Sequence, residues 1–282
     1  MKIALYDMSK RPATFDVVPW LNTAAAMAGA DPLRVIVLAD RFRDTSPKDK
    51  ALAIAEKRAR VERIIVPCCR LLPGATVDLV VARAEAEDWR RKSGTLSPST
   101  FVADCNRQHA AGRDVRRLAS PVRSEFDGAV VITIRQNAVL PERNSNMDAW
   151  LAAAARIAAD GHRVVLIPDT AMAGKPLPAG YEWCPEAAQC VSLRAGLYQN
   201  AAVSLSRGVG PMAIAMHMRA TRYVCFVEHG IPGDRAVFER IFGIRWGQQL
   251  PFAGSGQVID YRPDTEDAIL DAFHSIGVRA AA

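Results

Sequence analysis

The sequence predicts an α/β fold built from two Rossmann-like domains facing a cleft. Three observations lead there. Short β-branched runs recur along the chain: RVIVLA, VDLVVA, AVVITI, RVVLIP and YVCF. Segments with apolar residues at helical spacing separate them, which is the pattern of parallel strands joined by crossover helices. A polar, proline-containing stretch at 112–124 (GRDVRRLASPVRS) interrupts the alternation. It sets the domains at 1–120 and 121–282.

Taken in order, residues 2–6 form a first strand. Residues 15–29 are apolar on a helical period and end at Gly29, a stop signal. Asp16 stands where a helix cap belongs. The runs at 34–39, 64–67 and 77–82 read as buried strands, with a charged helix at 47–63. Residues 83–98 are polar and fit a helix or an exposed excursion, and 97–103 is ambiguous. Beyond the linker come strands at 129–134, 163–168, 203–206 and 223–227. Helices are expected at 145–159, 193–202, 211–218 and 234–241, and a last one at 264–275.

Composition bounds the function. The chain has 282 residues, half of them hydrophobic, and a net charge of +6. The excess is arginine, scattered rather than gathered in a tail. Aromatic residues do not alternate with basic ones, so nucleic acid is not an expected partner. A basic cleft for an anionic ligand, or a peripheral contact with an anionic membrane surface, suits the charge equally. The six cysteines make no CxxC pair and read as reduced thiols of a cytoplasmic protein. The start, MKIALYDMSK, has no signal-peptide core, and no segment reaches the about 20 apolar residues of a membrane span. No P-loop, GxSxG elbow or HExxH pattern occurs, and no metal or cofactor is expected.

The chemistry-bearing residues cluster at predicted strand ends, where open α/β sheets bind ligands. After the strand at 129–134 comes RQNAVLPERNSN. Arg135 and Arg143 would bind a phosphate or diphosphate beside a helix N-terminus. Asn144 and Ser145 either cap that helix or join the site. Asp169, after the strand at 163–168, would accept a sugar or ribose hydroxyl, or cap its own turn. Gly208, Gly210 and Pro211 in RGVGP would let backbone amides approach the ligand. In the first domain Asp7 is the candidate general base. Among the histidines only His229 follows a strand end. Trp150 is assigned to the core.

Residues 129–273 resemble the nucleotide-binding half of GT-B glycosyltransferases, of the heptosyltransferase-like kind that builds surface polysaccharides. The carrying stretches are VVITIRQ, PERNSNMDAW, VVLIPDT, LRAGLYQNAAVSLSRGVGPMAIA and YVCF. Gly210 and Pro211 match that family's glycine turn. Val209 and Ala213 stand where the family has an acidic residue and a histidine. The resemblance implies metal-independent transfer of a sugar from a nucleotide-diphosphate sugar to a hydroxyl of a glycan or lipid-linked acceptor. It places the protein in the cytoplasm, at the inner face of the membrane. Two other activities fit the same scaffold: a nucleotide-sugar epimerase, or a protein that binds a nucleotide sugar without turnover.

Overall fold

The computed structural model describes residues 1–45, 50, 52–92, 95–138, 141–208, 210–228 and 234–278. The chain divides into two compact units, Met1–Ala119 and Ser120–Ala282. Both are α/β with parallel sheets.

In the first unit, β1 (Lys2–Asp7), β2 (Leu33–Leu38) and β3 (Thr76–Val80) form a parallel sheet in that order. Leu96 adds a parallel bridge to Ala4. Alternation assigns the two faces. Ile36, Leu38 and Val80 pack with Ala86 and Trp89 of the helix α4 (Arg83–Arg91). On the other face Tyr6 meets Trp20 of α1 (Val17–Ala28) edge to face, at 4.9 Å.

The run at 64–67, expected as a strand, is helical. Residues 54–70 are one interrupted helix: α2 (Ile54–Arg60), a π turn (Val61–Ile65) and α3 (Val66–Arg70). Its buried residues Val61, Ile65, Cys68 and Cys69 recur at helical spacing. A four-residue window shows only an apolar run, which cannot tell a strand from the buried stripe of a helix. The wider π turn directly precedes Pro67, whose ring cannot fit a regular helix interior. Asp16 does not cap α1; its backbone is already helical and its carboxylate accepts from Thr14 Oγ1. The ambiguous stretch before residue 103 leads into α5 (Val102–Ala110).

In the second unit six parallel strands run in the order β6-β5-β4-β7-β8-β9. They are β4 (Val130–Thr133), β5 (Val164–Ile167), β6 (Glu182–Trp183), β7 (Val203–Arg207), β8 (Tyr223–Phe226) and β9 (Gln257–Asp260). The chain starts in the middle at β4, winds outward through β5 and β6, then returns to lay β7, β8 and β9 on the other side. That is the doubly wound order, and its reversal point lies between β4 and β7. Strands β6 and β9 were not expected; two and four residues at the sheet edges are too short to show a period.

Helices cover both faces. On one, Val130, Ile132, Leu205 and Phe226 pack against Trp150 and Ile157 of α6 (Met147–Ala159) and Ile269 and Phe273 of the C-terminal helix (Glu266–Ile276). On the other, Thr133 Oγ1 bonds Tyr198 Oη of α8 (Val191–Asn200), at 2.9 Å. The short helix α7 (Glu186–Gln189) precedes α8. The segment entering this unit is strapped to α8. Gln199 exchanges two hydrogen bonds with the Ser120 backbone, and Asn200 Nδ2 donates to Val122 O. Gly196 permits that approach, since a Cβ there would meet Val122 O at 2.6 Å.

His217 closes α9 (Met212–Met216) and is fully buried. Its Nδ1 bonds Ala213 O at 2.8 Å, while Nε2 has no partner among the described residues and the ring lies beside Phe252. Burial pushes it down to about 4. The unfolded chain takes up a proton below its ordinary value, and the native state refuses it until about 4. Stability is therefore full above pH about 6.5 and falls by about 3 kcal/mol as pH drops to about 4. A series of denaturation curves across this range should show the fall. His217→Gln, which keeps a donor for Ala213 O, should flatten it; an unchanged slope would assign the fall to other groups.

Candidate functional site

In a doubly wound sheet the crevice for a ligand opens beyond the carboxyl ends of the two strands flanking the reversal point. Here those strands are β4 and β7. Three arginines gather at their ends: Arg135 just after β4, Arg143 in the loop that follows, and Arg207 as the last residue of β7.

The loop from Arg135 to Asn146 is built by its own small polar side chains. Ser145 Oγ accepts from Arg135 N and Ser145 N donates to Arg135 O, at 2.9 and 3.0 Å. Asn144 Oδ1 accepts from Asn137 N and from Arg135 Nη1, and its Nδ2 donates to Asn137 O. Neither Asn144 nor Ser145 caps α6: Asn146 does, by accepting from Ala149 N, and the atoms of the other two close the loop.

The N-terminus of α6 was expected to draw a phosphate. It holds the protein's own carboxylate. Asp264, 4% exposed, lies at the opposite end of the unit's sequence. Its Oδ2 accepts from Asn146 N at 2.9 Å and from Trp150 Nε1 at 2.7 Å, while Oδ1 accepts from Arg207 Nη1 at 3.0 Å. An anion at a helix N-terminus is favourable whoever supplies it, and here the fold does.

Arg135 and Arg207 both bond Asn144, the residue after Arg143. Arg135 is pushed below the usual arginine range, first by burial, then by the charge of Arg143 and, more weakly, of Arg207; Asp169 and Glu142 oppose the shift. Arg207 is nearly enclosed and forks onto four acceptors: Asn144 O, Asp264 Oδ1, Glu142 O and Glu228 Oε2. Arg143 is different. It is half-buried and donates one hydrogen bond, from Nη2 to Gly208 O at 3.1 Å, with no carboxylate beside it among the described residues. A guanidinium carries five donors. Asp169 lies close enough to act on Arg135 and also closes its own turn, accepting from Ala171 N.

The glycine turn contributes in an unexpected way. Gly208 N is spent on Phe226 O, the last rung between β7 and β8, and its carbonyl anchors Arg143. The helix after Pro211 has five residues, and the amides of Ala213 and Ile214 already bond Gly210 O and Pro211 O. Val209 and His229 lie outside the described residues.

The first unit carries its own cluster at strand ends. Asp7 ends β1 and Asp40 follows β2. Arg90 of α4 forks between them, to Asp7 Oδ2 at 2.9 Å and Asp40 Oδ1 at 2.7 Å. Asp7 Oδ1 also accepts Ser9 N and Ser9 Oγ. Despite the opposing effect of burial, Arg90 and Ser9 hold Asp7 below the usual carboxylate range, and Arg90 does the same for Asp40. Asp40 and Arg207 both satisfy the strand-end rule that singled out Asp7 and Arg135, and applying it evenly would have found them. Arg90 and Asp264 carry no local signal; only the fold brings them in.

Among the described residues no group of three or more His, Cys, Asp or Glu side chains gathers to hold a metal ion. Among the same residues no helix is long and apolar enough to cross a membrane. None of the six cysteines is in a disulfide, and all but Cys190 are buried.

The sequence matches no protein-family model and no curated protein. Three solved structures are similar to it in fold. One is a dodecameric iron-containing heptosyltransferase, TibC, in complex with ADP-D-β-D-heptose: 14% identity, TM-score 0.44, covering 82% of this chain. The chain spans 59% of the length of TibC. A glycosyl transferase of family 9 from Veillonella parvula is 9% identical, with TM-score 0.44 and 98% and 96% of the two chains covered. The E. coli ADP-heptose lps heptosyltransferase II is 12% identical, with TM-score 0.46 and 98% of each chain covered.

The Arg90 fork generates a prediction. Two carboxylates with lowered native values stabilise the fold at every pH above about 4 and lose that contribution as pH falls through those values. Arg90→Ala strands both beside each other and should cost about 3 kcal/mol near neutral pH. Denaturation near pH 3 should show a smaller loss, because without Arg90 the two carboxylates are relieved by taking up protons as pH falls. An equal loss at both pH values would make the contribution one of packing.

Proposed function

We propose that the second unit binds the diphosphate of a nucleotide sugar in the crevice between β4 and β7, and that the protein transfers the sugar to an acceptor hydroxyl in glycan synthesis. One observation carries this: among the described residues Arg143, half-buried at the reversal point of a doubly wound sheet, donates a single hydrogen bond and has no carboxylate partner. A partly desolvated guanidinium without an internal anion is a site for an external one, and diphosphate geometry suits its fork. Charge building on a leaving diphosphate would be met by Arg143 and Arg135 without a resident metal. Asn144 and Ser145 would support the site by shaping its loop. Gly208 would support it by orienting Arg143, with Gly210 and Pro211 turning the chain behind it. Asp169 would accept a hydroxyl of the bound sugar or ribose.

Asp7 enters as the acceptor-side base. Its Oδ1 is fully engaged, while Oδ2 accepts only from Arg90 Nε among the described residues. The remaining lone pair on Oδ2 is where a hydroxyl proton would go. That commitment to Arg90 also favours a second function, binding of the nucleotide sugar without turnover. A lipid-linked acceptor would bring the protein to the inner face of the membrane.

A thermal-shift panel of UDP, GDP, ADP, CMP and their sugars tests the binding step, because a ligand of the native state raises the midpoint. One nucleoside diphosphate should shift the protein, and Arg143→Ala should weaken it by roughly tenfold to a hundredfold, the worth of a charge-assisted pair. No shift with any of them would sink the nucleotide-sugar assignment. With a binding donor in hand, Asp7→Asn should abolish transfer and leave donor affinity unchanged. Transfer at the original rate would remove Asp7 from the chemistry, and no transfer by the unaltered protein would leave a binder.

A further inference from the structure

Arg207 is an arginine in the crevice whose two Nη groups are turned to acceptors of the protein itself. Its two Nη groups carry four hydrogens, and four acceptors take them: Asn144 O and Asp264 Oδ1 on Nη1, Glu142 O and Glu228 Oε2 on Nη2. The two carbonyls belong to the residues on either side of Arg143. The carbonyl that anchors Arg143 itself belongs to Gly208, the next residue after Arg207. One dipeptide at the end of β7 therefore grips the loop before, at and after Arg143.

We propose that Arg207 is a positioning residue that aims Arg143 into the anion site, with Asp264 as its fixed anchor. This rests on the anion-binding function assigned to Arg143 above. Asp264 suits the task because it is itself immobilised. Asn146 N and Trp150 Nε1 hold its second oxygen, and Trp150 is wedged in the core against Phe226. Rigidity passes from the core to Asp264, to Arg207, to the backbone around Arg143. A ten-residue loop left to its own contacts would spread Arg143 over many orientations and weaken the site through lost preorganisation. A lysine cannot replace Arg207, because one ammonium cannot bridge two carbonyls and two carboxylates in a planar fork.

Titration calorimetry of the full chain with inorganic pyrophosphate tests this, using Arg143→Ala, Arg207→Lys and the double variant. Arg207→Lys should weaken binding by about tenfold, and the double variant should bind no more weakly than Arg143→Ala alone, because residues that act through one another are not additive. A purely structural role would lower the unfolding midpoint and leave the pyrophosphate affinity of the folded protein unchanged. That result would overturn the proposal. Losses that multiply in the double variant would overturn it too, by making Arg207 a direct contact. Asp264→Asn leaves Arg207 in place without its charged anchor; it carries the same expectation if Arg207→Lys does not fold. Absence of binding by the unaltered protein would instead overturn the anion site on which the inference rests.

Discussion

The buried pair of Asp264 and Arg207 is the interaction on which the second unit depends. A carboxylate 4% exposed is costly unless both oxygens are hydrogen-bonded and an opposite charge lies beside it. Asp264 meets both conditions, and its partners come from two elements, α6 and β7. The start of α6, the indole of Trp150 and the end of β7 are thereby tied to the approach to the last helix. The pair joins residues far apart in sequence at the reversal point of the sheet. Breaking it would leave a buried charge and release the loop that carries Arg143.

The two units repeat one electrostatic arrangement with opposite signs. In the second, one carboxylate organises an excess of guanidinium at the ends of β4 and β7. In the first, one guanidinium organises two carboxylates at the ends of β1 and β2. In both, an internal counter-charge fixes the group at its centre: Asp7 is held by Arg90, and Arg207 by Asp264. Arg143 stands apart from this pattern because, among the described residues, the fold supplies it with a carbonyl and no carboxylate. That asymmetry, more than the number of arginines, is what supports the proposal of an external anion in the crevice.

Legibility varied with the length over which a signal is written. The strands β4, β5 and β8 and the helix α6 are complete runs whose burial is local, so their type and place were readable. The run at 64–67 was misread because Ile64, Ile65 and Val66 look β-branched and apolar in a short window. Their spacing against Val61, Cys68 and Cys69 decides for a helix. Arg135 and Arg143 were readable as site candidates from the strand-end rule. The work done by Asn144 and Ser145 was not, because a small polar residue before a helix caps, staples or binds according to which donors the loop brings near.

Sequence by itself determined the α/β class, the alternation that gives parallel sheets, and the position of the arginine loop after a buried strand. Those follow from periodicity and from residue chemistry over a few neighbours. Tertiary structure alone decided the strand order and so the reversal point between β4 and β7. It also decided that Asp264 rather than a ligand fills the α6 N-terminus, and that both Nη groups of Arg207 are engaged while Arg143 makes one hydrogen bond among the described residues. These are questions of which groups meet across 57 to 118 residues of chain. A charged side chain's role is set by its counter-charge, and contact between distant residues is made only when the sheet is assembled.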